Sequence, residues 1–391
     1  MQVRRALIAV LAGIAVSSAA AAQSPLPEAE GDQVQRAITA MRNGEYSFAM
    51  AIAERLAEQN DPDGLFILGY LYANGLGGEQ DMTEAMLHYV KAASYGQTNA
   101  QFALGEIAYR GEGAVQDWER AAGWYNLAAA GGHAEAQFRL GYMYAEGQAV
   151  PQDNGRAATL FRSAAEAGLV DAQYHLALLF LEGQGVPRDF NEAAKWFEAA
   201  ATQGDAESMY NLALILESGR GGETDLEGTV KWMRAAAEAG VLPAQVSMGL
   251  LHYNGRGVAE SGEQALKWFR QSAEGGSAEG MFLYAVGLSE GLGGRPDFPR
   301  ALRWAERAVD ASKGEPEELV EERRLLRDQL RQLVAQFATA APAPSSPGAI
   351  AFREERGADP SSAPSRTQAD AAPAPVQAPP KDAPQGRGLR R

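Results

Sequence analysis

The chain has no cysteine among its 391 residues. Disulfides, thiolate metal sites and cysteine nucleophiles are thereby excluded. Histidine is scarce: His88, His133, His175 and His252 are all there are. They are far apart and form no His-Glu-x-x-His or other close ligand pair, so neither metal nor cofactor is expected. No Gly-x-Ser-x-Gly elbow and no Ser-x-x-Lys motif occurs, so a serine nucleophile is not signalled. Carboxylates abound, but they follow helix caps and solvent faces, and no general acid–base pair stands out. The chain therefore reads as non-enzymatic.

Positive charge is in deficit too. The formal net charge is −15. The first 22 residues carry +2 and residues 339–391 a further +2, which leaves −19 on residues 23–338. So acidic a body argues against nucleic acid, whose phosphates require Lys and Arg. Long apolar runs are missing after residue 22, so no integral membrane span is expected beyond it.

Residues 1–22 read as a secretory signal. Arg4 and Arg5 precede an apolar run, Ala6 to Val16, and Ala20, Ala21 and Ala22 offer a small-residue cleavage site. The run is shorter than the ~20 residues of a bilayer span. Cleavage is the expectation, with a retained anchor as the alternative. The expected location is periplasmic or secreted.

The chain is rich in glycine, with 43 residues, and much of it is periodic. Trp124, Trp196, Trp232, Trp268 and Trp304 lie 72, 36, 36 and 36 residues apart, with Leu160 and His88 filling the remaining places. Tyr89, Tyr125, Phe161, Phe197, Met233 and Phe269 follow in phase. Gly75, Gly111, Gly147, Gly183, Gly219, Gly255 and Gly291 keep the same spacing, and Gly or Ala recurs two places later. Uninterrupted self-similarity at this period is the mark of a repeat array.

Each unit reads as two helices. In 99–111, Ala100, Leu104 and Ala108 share one face. Gly105 and its equivalents are all Gly or Ala, which predicts a close helix–helix approach. The glycine pair ends the first helix. An aspartate (Asp81, Asp117, Asp153, Asp189, Asp225) caps the second, with capping-box spacing to Glu84 and Glu192. The Gly-Gln-Gly at 183–185 superficially suggests a phosphate cradle. No strand-like run precedes it and no Lys-Ser/Thr follows, so it reads as a turn. Trp232→Ala is expected to cost about 3 to 5 kcal/mol, as for a buried tryptophan.

The stretches "AEAQFRLGYMYAEGQAVPQD" (134–153), "DAQYHLALLFLEGQGVPRDFNEAAKWFEAAATQG" (171–204) and "VKWMRAAAEAG" (230–240) resemble the Sel-one-like repeat (SLR) family, a relative of the tetratricopeptide repeats. Gly228, Thr229 and Ser261 depart locally from the pattern. The resemblance implies an all-α, right-handed α-solenoid of about seven 36-residue helix-turn-helix repeats. It also implies a concave inner surface lined by first helices, and adaptor or regulatory work in assembling other proteins.

The expected organisation is a signal at 1–22, a linker at 23–31 and a tetratricopeptide-like capping pair at 32–60, broken at Asn43-Gly44. Seven repeats at 61–313, a capping helix at 314–338 and a disordered Ala/Pro-rich tail at 339–391 complete it. In the capping helix Leu319, Leu326, Leu330, Leu333 and Phe337 form an apolar stripe that Arg323 interrupts. It reads as a cap on the last repeat, or alternatively as a dimerising helix. The tail holds ten of the 19 prolines and ends in Arg387, Arg390 and Arg391, so contact with an anionic envelope polymer is open to it. His88 and His252 occupy core places and are expected to be buried.

Function should lie where the units differ. One first-helix place reads Ala103, Arg139, His175, Asn211, Ser247, Leu283; another, three residues on, reads Glu106, Tyr142, Leu178, Leu214, Leu250, Val286. Such a mixed lining suits a protein or peptide partner, or else marks unconstrained surface. Arg139, Tyr142, His175, Leu178, Asn211, Leu214 and Ser247 are the candidate partner-binding residues. The expected function is a non-catalytic interaction scaffold or adaptor. An envelope enzyme or peptidoglycan-associated protein, or a structural spacer, is the alternative.

Overall fold

The computed structural model describes residues 30–112 and 115–340. The expected signal, nearly all of the linker and the tail beyond residue 340 lie outside them. Among the described residues there are 17 helices and no strand. A capping pair, α1 (Glu30–Asn43) and α2 (Tyr46–Glu58), comes first, joined through Gly44 at φ +81°.

Seven pairs follow. The first helices are α3 (Pro62–Asn74), α5 (Thr98–Arg110), α7 (Ala134–Glu146), α9 (Val170–Glu182), α11 (Ala206–Ser218), α13 (Leu242–Asn254) and α15 (Ala278–Glu290). The second helices are α4 (Met82–Ser94), α6 (Trp118–Ala130), α8 (Asn154–Glu166), α10 (Phe190–Thr202), α12 (Leu226–Glu238), α14 (Gly262–Glu274) and α16 (Phe298–Ala311). The last helix, α17 (Glu317–Ala340), ends two residues beyond the expected boundary.

The described residues form two compact units, which divide between Trp232 and Met233. In the first, each helix from α1 to α11 packs on its sequence neighbours. In the second, α13 to α17 do the same.

The turns are built as the glycine and aspartate pattern predicts. Gly75, Gly147 and Gly183 end their helices in the left-handed region. Asp81 Oδ1 accepts from Thr83 N–H at 2.8 Å and from Glu84 N–H at 3.1 Å. Asp117, Asp153, Asp225 and Asp297 cap in the same way, and Ser261 takes over the role in its repeat. The reciprocal half of the capping box is not formed. The Asp81 N–H donates to Tyr72 O at 3.0 Å and the Asp189 N–H to Phe180 O at 3.0 Å, so the Glu side chains find other partners. Glu192 accepts from Trp196 Nε1–H at 3.2 Å.

The small-residue place has a different cause from the one expected. A Cβ on Gly105 would stand 2.6 Å from the Tyr125 ring, and one on Gly141 2.9 Å from Phe161. The notch receives an aromatic ring from the paired helix, not a helix backbone. These rings are the deepest in the first unit: Tyr125 and Phe197 are 0% exposed and Phe161 1%. The tryptophans one place earlier are shallower. Trp196 is buried, but Trp124, Trp232, Trp268 and Trp304 are only half-buried. The cost expected for Trp232→Ala is therefore too high, because burial scales with apolar area removed from water.

Successive repeats are latched by a buried glutamine. The Gln101, Gln173 and Gln245 side chains donate from Nε2 to Ala93 O (3.2 Å), Ala165 O (3.1 Å) and Ala237 O (3.0 Å) in the helix before. Gln137 does the same to Ala129 O at 3.2 Å.

At the far end α17 packs on α16, with Leu330 at 1% exposure and Leu326 and Leu333 against the same core. Leu319 and Phe337 are exposed, and Val320 takes the buried place instead. Arg323 does not interrupt this face. It is buried at 5% exposure and donates from Nη1 to Ser312 Oγ and to Glu315 Oε2, both at 2.5 Å.

Candidate partner-binding face

The candidate residues lie on first helices. Arg139 and Tyr142 are on α7, His175 and Leu178 on α9, Asn211 and Leu214 on α11, and Ser247 on α13 in the second unit. All are half-buried except Asn211. Asn211, at 3% exposure, lies at the base of the row. Its Nδ2 donates to Glu207 O at 2.9 Å, while Oδ1 has no partner.

Neighbouring repeats meet along this row. Arg139 Nε lies 3.1 Å from Glu106 Oε1, joining the third repeat to the second. Glu106 also accepts from the Tyr125 hydroxyl at 2.6 Å and pairs with Arg110 at 2.5 Å. Burial and the Glu106 carboxylate together push the Tyr125 hydroxyl well above the usual phenol range. Tyr142 and His175 join the third repeat to the fourth, their rings edge to face with centroids 6.0 Å apart.

His175 is ringed by aromatics. Phe138, Phe161 and Tyr174 have centroids 5.5, 5.5 and 5.4 Å from it. Desolvation among them lowers its pKa to about 4, against the pull of Asp205. The imidazole is therefore neutral at pH 7. Leu178 and Leu214 add apolar surface, and nothing joins Ser247 to the other candidates.

Two further series lie on the first helices and were not singled out from the sequence. Phe66, Phe102, Phe138, Tyr174 and Tyr210 recur at one place per repeat. Asp63, Glu135, Asp171, Glu207 and Glu279 recur at another, in the first turn of their helices. The acids are easily passed over, because a carboxylate at a helix N-terminus has an ordinary dipole explanation. That explanation predicts a lowered pKa. Instead desolvation by the surrounding helices raises Asp63, Asp171 and Glu207, although the last two still reach solvent, and Asp205 raises those two further.

The other histidines differ from expectation. His88 is half-buried and stacks on Tyr72 at 5.8 Å, and His252 is half-buried, with Nδ1 3.3 Å from Ala259 O. Neither is in the core. Among the described residues no group of three His, Asp or Glu side chains could hold a metal ion. No described helix is long and apolar enough to cross a membrane.

The geometry agrees with what is known of similar proteins. The Sel1 repeat model matches seven consecutive segments: 62–96, 98–133, 134–169, 170–205, 206–241, 242–277 and 278–313. A solved structure of c5321, a protective antigen of uropathogenic Escherichia coli with an SLR fold, is 29% identical, with a TM-score of 0.63 over 75% of this chain and 68% of that one. A Sel1 repeat protein from Oxalobacter formigenes is 28% identical, with a TM-score of 0.52 over 62% of this chain and 96% of that one. No curated protein matches the chain.

Proposed function

This chain belongs to the Sel1 repeat family, and from that premise we propose that it works by contact, as a periplasmic or secreted scaffold or regulatory adaptor that holds a protein partner against its first helices. Sel1-repeat proteins are generally protein-interaction scaffolds. The observation that carries the reading is the row on α5, α7, α9 and α11. Its packing neighbours are uniform from repeat to repeat, whereas its own places hold Glu106, Arg139, Tyr142, His175 and Leu178, half-buried and coupled across repeats. Pre-ordered, chemically mixed side chains on rigid helices bind a partner with little loss of rotamer freedom. The apolar run at 6–16 supports the location.

The test is crosslinking in the periplasm, with captured proteins identified by mass spectrometry. Arg139→Glu with His175→Glu should remove specific captured species from the full chain. An unchanged set of captured proteins would reject the row as the contact face.

A further inference from the structure

The row is most distinctive where the third, fourth and fifth repeats meet, and there its free chemistry is one-sided. Asp171 and Glu207 are exposed carboxylates and form no salt bridge among the described residues. Asp205 spends one oxygen on the Ser208 N–H at 2.8 Å. Asn211 turns Nδ2 back onto its own helix at Glu207 O, and its buried Oδ1 meets no protein donor. Beside these acceptors stand aromatic faces. Tyr174 lies 5.4 Å from His175, and both rings are half-buried. One cation, Arg139, acts on Asp171, and it is itself paired with Glu106 at 3.1 Å.

Unused acceptors next to aromatic rings call for a donor-rich cation. A guanidinium satisfies carboxylates in pairs and stacks on aromatic faces. An ammonium does so less completely. We infer that the face built by Asp171, Tyr174, Asp205, Glu207 and Asn211 receives an arginine-bearing extended segment of the partner protein. Desolvation first, and the neighbouring Asp205 carboxylate second, raise the pKa values of Asp171 and Glu207, so three carboxylates are gathered at this face. Charge complementarity at such a rim governs which partner is accepted and how fast it arrives. The inference rests on the proposed contact role and specifies its partner class.

The test uses the full chain and a fluorescein-labelled peptide of alternating arginine and glycine. Its counterpart carries glutamate in place of arginine. The arginine peptide should bind at low salt and weaken as salt rises, and the glutamate peptide should not bind. Asp171→Asn, Asp205→Asn and Glu207→Gln combined should reduce affinity at least tenfold, and Tyr174→Leu several-fold. Asparagine at 205 keeps the helix cap, and thermal melting checks that each variant folds. Three equal charge removals on the second helices, Glu119→Gln, Glu166→Gln and Glu198→Gln, should leave affinity within about twofold. If the two triple variants behave alike, or the glutamate peptide binds equally, the inference is wrong. Loss of crosslinked partners in the Arg139/His175 variant, with no arginine-peptide binding at this face, would keep the contact role and reject the cationic partner. Binding by the arginine peptide that strengthens when residues 341–391 are removed would show the same site occupied by the chain's own basic segment, which overturns the assignment to a partner.

Discussion

Gly105 lies directly against the ring of Tyr125, where an added Cβ would stand 2.6 Å from the ring carbons. The ring is wholly buried and cannot retreat. Gly105→Ala should therefore lower stability by about 1 to 3 kcal/mol through overpacking, despite alanine's better helix propensity. Tyr125→Leu should partly rescue it, so the double variant loses less than the two single losses combined. Urea midpoints of the four proteins check this. Additive losses would mean that ring and notch are not coupled.

The aromatic residue and its tryptophan neighbour should be unequal in energy. Phe161 is 1% exposed, and its truncation to alanine is expected to cost about 3 to 5 kcal/mol. Trp232 keeps a solvent-facing side, with Lys231 Nζ 4.4 Å from its ring centroid. Trp232→Ala should cost clearly less than Phe161→Ala. Thermal melting of the two variants decides, and equal losses would contradict the burial described above.

Ala149 holds φ +59° where Gly77, Gly185, Gly257 and Gly293 stand in other repeats. An L side chain in this region is strained by roughly 1 to 2 kcal/mol. Ala149→Gly should raise the melting temperature, by about 1 kcal/mol of stability after glycine's greater entropy loss. No gain would indicate that the surrounding loop relieves the strain.

Acid should weaken the fold through His175. The unfolded chain takes up this proton near pH 6.5, but the folded chain resists it until about pH 4. Between those values the unfolded state binds more protons, so stability falls as pH falls and levels off below about 4. His88 and His133 are also lowered by burial and add to the slope. In His175→Phe the slope between pH 6.5 and 4 should be shallower by up to one proton. Denaturant titrations across that range give the measurement, and parallel slopes would refute the assignment.

Arg323 should be costly to truncate. Arg323→Ala leaves Glu315, a third exposed, without its cation and removes the donor to Ser312, which should cost about 1 to 3 kcal/mol. Arg323→Met refills the volume and should recover part of the loss. If α17 acted as a dimerising helix instead, these variants would shift the oligomeric state seen by light scattering; the packing of Leu330 predicts no such shift.

Much of this molecule was legible as a sequence because it repeats. A residue that recurs every 36 places, such as the aspartate from Asp81 to Asp225, declares a structural duty, and its cap forms as read. What escaped was interaction with backbone. Gln101 reaches the carbonyl of Ala93, a partner no side-chain pattern encodes. The capping box failed for the same reason, since the Asp81 N–H is taken by Tyr72 O. In α17, outside the repeat, a stripe through Leu319 was read one place out of phase, and Val320 is buried instead. On the candidate face, Arg139, Tyr142 and His175 were found by their variation. The acids at 171 and 207 were missed because a first-turn carboxylate looks ordinary until its surroundings are known.

The turn between the two helices of a repeat is bonded at both ends, as in the first repeat, where left-handed Gly75 closes one side and the Asp81 N–H donates to Tyr72 O on the other. One added residue there would break that bond or rotate every helix downstream out of register with its neighbour's notch. Proteins built in this manner change length by whole tiles, so variety in what they grip must come from substitution on the outward places, never from stretching the joints.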